Sequence, residues 1–123
     1  MSYILKENFK KNKRYIYMVE YDKKPNEDYE VITKVYYFRW VEEENQFAKR
    51  YWSNKNFAKA LYNGEFAAWA GKEEIDRLTN VVEVIAYKQD DGEYWIKTKA
   101  DDSKENNLEL LTYAKKYGFA KKV

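Results

Sequence analysis

Arginines and lysines set among aromatic rings are the residues in this chain best suited to chemistry. Arg39, Arg50, Lys97 and Lys99 fall in strand-like stretches that also hold Tyr37, Trp40, Tyr51, Trp52 and Trp95. Cationic side chains pair with phosphate and flat rings stack on bases, so this interleaving suits a nucleic-acid strand or a signalling nucleotide. The same residues also suit ordinary solvent-facing strand positions with cross-strand charge pairs. A second group, Thr98, Asp101, Asn106 and Asn107, lies where a strand gives way to a helix-like pattern. One reading has these side chains hydrogen-bond a ligand, with a helix N-terminus nearby to favour an anion. The other has them tie down a turn and cap the helix.

Other residue types narrow the chemistry further. The chain has no cysteine and no histidine. That removes thiolate nucleophiles, Ser-His-Asp and Cys-His mechanisms, histidine bases and nearly every zinc site. Asp90, Asp91, Asp101 and Asp102 are weighed as a hard-metal site, but Asp90-Asp91-Gly92 is better explained as a turn. Glu42-Glu43-Glu44 reads as a solvated acidic turn. The four glycines are too dispersed for a phosphate loop. No pair of carboxylates is marked for acid–base work. The expectation is therefore a binding protein without enzymatic activity, cofactor or metal.

With 123 residues, the chain is the length of one domain, and 45% hydrophobic residues provide ample material for a core. The net charge of +2 is small. Residues 1–25 are mildly basic, with Lys10, Lys11, Lys13 and Arg14 together, which by itself describes a solvated tail. No apolar run is long enough for a signal peptide or membrane span, so the expected location is the cytoplasm of a bacterium or of a phage-infected one.

These residues need elements to hold them. Residues 1–13 read as an arm in which Tyr3, Ile4, Leu5 and Phe9 dock. A single domain follows over 14–118, then a tail over 119–123. Aromatic and β-branched content predicts strands over Arg14–Tyr21, Tyr29–Val41, Phe47–Trp52, Val81–Tyr87 and Tyr94–Lys99, with a short one at Phe66–Trp69. Along Tyr29–Val41, Val31, Thr33, Val35, Tyr37 and Arg39 share one face and Ile32, Lys34, Tyr36, Phe38 and Trp40 the other. Ser53 is placed to cap a helix over Asn54–Tyr62 that ends at Asn63-Gly64. Ile75 and Leu78 predict a helical turn or two within Lys72–Leu78. Asp-Gly at 91–92 predicts a type I′ hairpin, and Leu108 and Leu111 predict a helix over Asn107–Tyr117. The expected fold is α+β, a mainly antiparallel sheet of about five strands packed by two helices.

One set of residues carries a family resemblance. Gly64 and Phe66, Val82 and Val84, Gly92, Tyr94, Thr98, Asp101, Asn107, Leu108 and Leu111 follow the order G-x-F, V-x-V, hairpin, Y-x-x-T, D, N-L-x-x-L. The chain thereby resembles an uncharacterised family of small bacterial and phage domains, over roughly residues 14–113. Thr112 stands where that family has a proline. The resemblance brings no activity with it, but its phage setting implies an accessory role. The first expectation is a protein of a phage or mobile element that binds a host macromolecule or a nucleotide signal and inhibits bacterial immunity. The second is a nucleic-acid-binding module using the basic and aromatic strand face. The third is a self-associating protein whose exposed aromatics form a homo-oligomer interface.

Overall fold

Burial and strand pairing fix the architecture of the computed structural model, which describes residues 3–23, 30–98 and 121–122. In chain order the elements are β1 (Tyr3–Leu5), β2 (Lys13–Lys23), β3 (Glu30–Val41), β4 (Gln46–Ser53), α1 (Asn54–Tyr62), β5 (Ala67–Glu73), β6 (Arg77–Lys88), β7 (Tyr94–Thr98) and β8 (Lys121–Lys122). All strands join one mixed sheet in the order β1-β6-β5-β2-β3-β4. The long strand β6 takes β1 and then β7 as partners, besides β5. Two contacts are parallel, β2 with β5 and β2 with β8.

This corrects the expected α+β fold of five strands and two helices. The protein is mostly β, and α1 is the one helix of more than one turn among the described residues. The arm supplies a strand of its own, with Ile4 opposite Leu78. Lys72–Leu78 is extended rather than helical. Ile75 is 98% exposed at a hairpin tip while Leu78 is buried, so their spacing does not define one helical face. The tip closes with the Glu74 amide donating to the Arg77 carbonyl at 2.7 Å. Ile75 and Asp76 have no positive φ, so the turn lacks the Asn-Gly signal that marks many hairpins. Gly71 makes the approach possible, since a Cβ there would lie 2.8 Å from the Thr79 carbonyl oxygen. The helix expected over Asn107–Tyr117 lies outside the described residues.

Each face of the sheet carries a core layer. On one face Ile16, Val19, Val35, Tyr37, Ala68, Val84 and Ile96 pack with Phe57 and Ala58 of α1 and with Phe66. Fully burying a large apolar side chain contributes about 1.5–3 kcal/mol, so this cluster outweighs the weak intrinsic stability of a nine-residue helix. Ser53 caps α1 by accepting from the Asn56 amide at 3.3 Å. At its other end Gly64, with φ of 79°, donates to Leu61 and Glu65 donates to Ala60, a Schellman ending. That ending turns Glu65 and Phe66 back onto the sheet.

The opposite face is covered by the arm. Phe9 stacks on Tyr15 with ring centroids 3.9 Å apart and packs against Phe38 and Phe47. Glu73 binds Lys6 of the arm at 2.9 Å and Lys49 of β4 at 3.1 Å across this layer. The alternation read along β3 holds for Val35 to Trp40 but breaks below. A register shift between Glu20 and Tyr21 brings Ile32 into the α1-side core with Val35. The hairpin at Asp90–Gly92 is present, although not as type I′. Only Gly92 has positive φ, at 88°, and the Gln89 amide donates to Glu93, the pattern of a three-residue loop with a glycine bulge.

Replacing Phe9 by alanine should destabilise the fold by about 3–5 kcal/mol, as for other buried phenylalanines. Urea unfolding would show a lower midpoint with an unchanged slope; a midpoint within error of the parent would show that the arm is not packed. Alkaline pH should also destabilise the fold. Burial raises Tyr15, Tyr17 and Tyr87, and the hydrogen bond to Glu20 raises Tyr36 to about 12. Unfolded tyrosines ionise near 10, so the folded state holds more protons above that pH. Stability should fall as pH rises from about 10 toward 12; constant stability through that window would contradict the assignment.

Candidate functional site

Three arginines from three neighbouring strands converge at one end of the α1 side of the sheet. The register sets Ile16 opposite Tyr37 and Tyr37 opposite Arg50, so these side chains share a face. Arg39 lies two residues beyond Tyr37 on that face, and Arg14 two residues before Ile16. Val35 opposite Trp52 adds the indole from β4. With Glu65 and Phe66 from the end of α1, they border an open cleft of about 370 Å³. Tyr51 touches its rim, while its ring packs with Tyr36 on the other face.

Tyr37 joins this cleft to the core. It is buried and packs on Phe57 with ring centroids 5.1 Å apart. Burial raises its phenol pKa, against the opposing pull of Arg14, Arg39 and Arg50. Arg14 lies with its guanidinium carbon 4.6 Å from the Phe66 ring centroid. Burial lowers its pKa and the neighbouring Arg39 lowers it further, while Tyr37 and Glu65 oppose. Its charge is retained, since a guanidinium does not deprotonate in proteins, but it is held beside a like charge. Arg50 reaches Glu44 only at 3.9 Å, with both side chains about half exposed. Arg39 forms no ion pair with a described carboxylate. The cleft is thus cationic, lined with rings and open to solvent.

The residues expected from sequence divide on this geometry. Arg39, Arg50 and Trp52 come together in the cleft. Trp95 and Lys97 do not join them. They lie on β7, on the strand's other face from Tyr94, which packs on Tyr62 of the helix at 5.2 Å. Lys97 sits 5.5 Å from the Tyr87 ring centroid instead. Trp95 borders a separate hollow of about 210 Å³ beside the start of α1. Thr98 ends β7, where its backbone pairs with Val84. Lys99, Asp101, Asn106 and Asn107 lie outside the described residues. Arg14, Glu65 and Phe66 belong to the cleft but stood elsewhere in the sequence reading, Arg14 within a basic run and Phe66 within a short strand. Among the described residues, no group of three or more carboxylates is gathered that could hold a metal ion.

A family model of proteins of unknown function, DUF3892, matches residues 15–112. The chain belongs to the DUF3892 family. None of the curated proteins and none of the solved structures compared with the chain matches it. Of the residues that carried the resemblance, several of those described hold structural positions in this DUF3892 protein. Gly64 and Gly92 have positive φ, while Phe66 and Val84 are buried. Tyr94 packs on α1. Among the described ones, Phe66 alone also borders the cleft.

A like-charge cluster costs stability until a ligand neutralises it. Replacing Arg39 by glutamine should therefore leave the unliganded protein as stable as the parent or raise its stability by a few tenths of a kcal/mol. Thermal or urea unfolding checks this; a clear loss of stability would show that Arg39 has a structural partner.

Proposed function

We propose that this DUF3892 protein binds a nucleotide in the arginine cleft and holds it without turnover. The observation that carries this reading is the convergence of Arg14, Arg39 and Arg50 with Tyr37, Trp52 and Phe66 around about 370 Å³, a volume in the range of small-molecule sites. Guanidinium groups present paired donors that match phosphate oxygens. Trp52, 38% exposed, offers a flat face on which a base stacks. A ligand bearing both phosphate and a planar ring satisfies both chemistries at once. The absence of histidine and cysteine from the chain argues against common nucleophilic and acid–base mechanisms. In a bacterium or a phage-infected cell, holding a nucleotide signal would sequester it, which is how an inhibitory accessory protein would act on immunity.

The second reading, a nucleic-acid-binding module, needs cations and rings laid along a continuous path. Lys97 and Trp95 stand apart from the arginine cleft, so the described surface favours a compact ligand over a strand.

Calorimetric titration with a panel of nucleoside mono-, di- and cyclic phosphates should find a member that binds. The matching nucleoside and inorganic phosphate alone should each bind far more weakly. Arg39→Gln and Arg50→Gln should each weaken binding about 10-fold or more, as expected for losing a charge-assisted hydrogen bond. Trp52→Ala should remove a stacking contribution of about 1–3 kcal/mol. EDTA should leave the affinity unchanged. Failure of every nucleotide, or binding that survives all three substitutions, would refute the reading. Tight binding of unselected oligonucleotides with a steep salt dependence would promote the second reading.

A further inference from the structure

The arginine cleft has a direction across the sheet. Tyr37 lies opposite Arg50, and Val35, two residues before it, lies opposite Trp52. Tyr15 lies opposite Phe38, which sets Arg14 level with Arg39, four residues along β3 from Val35. Trp52 and Arg14 are therefore two strands and four residues apart. At about 4.8 Å per strand and about 3.3 Å per residue, their backbones lie about 16 Å apart on a diagonal. Along it the order is Trp52, Arg50, Arg39, Arg14. Past Arg14 comes β5, with Ala68 opposite Arg14, and the residues just before that strand, Glu65 and Phe66, close this end of the cleft.

The two ends differ in chemistry. Among the rings on the cleft, Trp52 alone offers a free face. Tyr37 is buried against Phe57, the Tyr51 ring packs with Tyr36 on the other side of the sheet, and the Arg14 guanidinium lies over Phe66. The base of a nucleotide therefore belongs at Trp52, with its phosphates following over Arg50 and Arg39. At the far end stands the exposed carboxylate of Glu65. It is a poor counterion for the arginines. It forms no ion pair among the described residues, and its pull on Arg14 is weaker than the influence of either Arg39 or Tyr37. A free terminal phosphate arriving there would meet like charge. An ionised carboxylate only accepts hydrogen bonds, so a neutral group rich in hydroxyls suits it.

We propose that the ligand of the cleft is a nucleoside diphosphate esterified at its far phosphate to a sugar, whose hydroxyls donate to Glu65. This rests on the nucleotide reading of the cleft and adds to it an orientation and a terminal group. Esterification also removes one negative charge from the end that meets the carboxylate.

The test is calorimetric titration of the full chain at low salt with matched pairs: ADP and ADP-ribose, UDP and UDP-glucose, GDP and GDP-mannose. Within the pair whose base binds, the sugar ester should bind about tenfold more tightly than the free diphosphate. Glu65→Gln should move the two ligands in opposite directions, weakening the ester about tenfold and tightening the free diphosphate a few fold. The side chain is exposed and glutamine keeps its length, so the variant should unfold at the midpoint of the parent. Three outcomes would overturn the inference and leave the nucleotide reading standing. One is a free diphosphate that binds as tightly as its ester. Another is a preference for the ester that survives Glu65→Gln. The last is a shift of both ligands in the same direction, which a merely structural Glu65 would give. Failure of every nucleotide and every ester would instead sink the reading of the cleft itself, and this inference with it.

Discussion

The Tyr37 ring is where the apolar core meets the cationic cleft. Its ring packs on Phe57, and so ties β3 to α1. Its hydroxyl lies in the field of Arg14, Arg39 and Arg50, each delivered by a different strand. The pairing of Ile16 and Arg50 with Tyr37 is a single line of register across β2, β3 and β4. A slip of one residue along that line would carry the arginines to the arm side and Phe38 to the helix side. The same alternation that fills two core layers therefore also assembles the cleft.

The two faces of the sheet treat charge differently. On the arm side the cations have partners: Lys6 and Lys49 share Glu73, and Lys34 lies near Glu20. Lys6 and Lys49 also cover the Phe38 ring. The Lys6 contacts hold the arm against the sheet, and the other pairs join strands within it. On the helix side, three arginines border a cleft whose lining holds one carboxylate, Glu65, with Glu44 reached by Arg50 only at 3.9 Å, and Arg14 is desolvated beside Arg39. A fold gains nothing from gathering like charges at a partly buried site, so their presence argues for an anionic ligand.

Much of the fold was legible because local signals agreed with tertiary structure. Ser53, Gly64 and the Phe57-Ala58-Leu61 spacing delimit α1 as the structure has it, and the β3 and β4 stretches differ from it only at their ends. Three features were not legible, each for a physical reason. The hairpin through Ile75 and Asp76 has no glycine and no positive φ, and pairs a single turn-favouring residue, Asp76, with an isoleucine. The parallel pairing of β2 with β5 joins segments some fifty residues apart, which no local pattern records. The shift near Glu20 is invisible in a sequence that continues to alternate. Of the site, Arg39, Arg50 and Trp52 were legible from their mixture of charge and ring. Lys97 and Trp95 show the same mixture, yet pairing sends them to another part of the sheet. Arg14 was hidden because its neighbours Lys10, Lys11 and Lys13 made it look like part of a solvated run.

The central claim is that one cleft gathers charge and rings for a phosphate-bearing, planar ligand. The most direct measurement is nitrogen–proton NMR of the side chains during titration with the nucleotide that binds best, because each tryptophan indole and each arginine Nε–H reports its own position. The account predicts large shifts for the Trp52 indole and the Nε–H groups of Arg14, Arg39 and Arg50, with the Trp95 indole unmoved. Shifts centred on Trp95, with Trp52 and the three arginines unchanged, would contradict it.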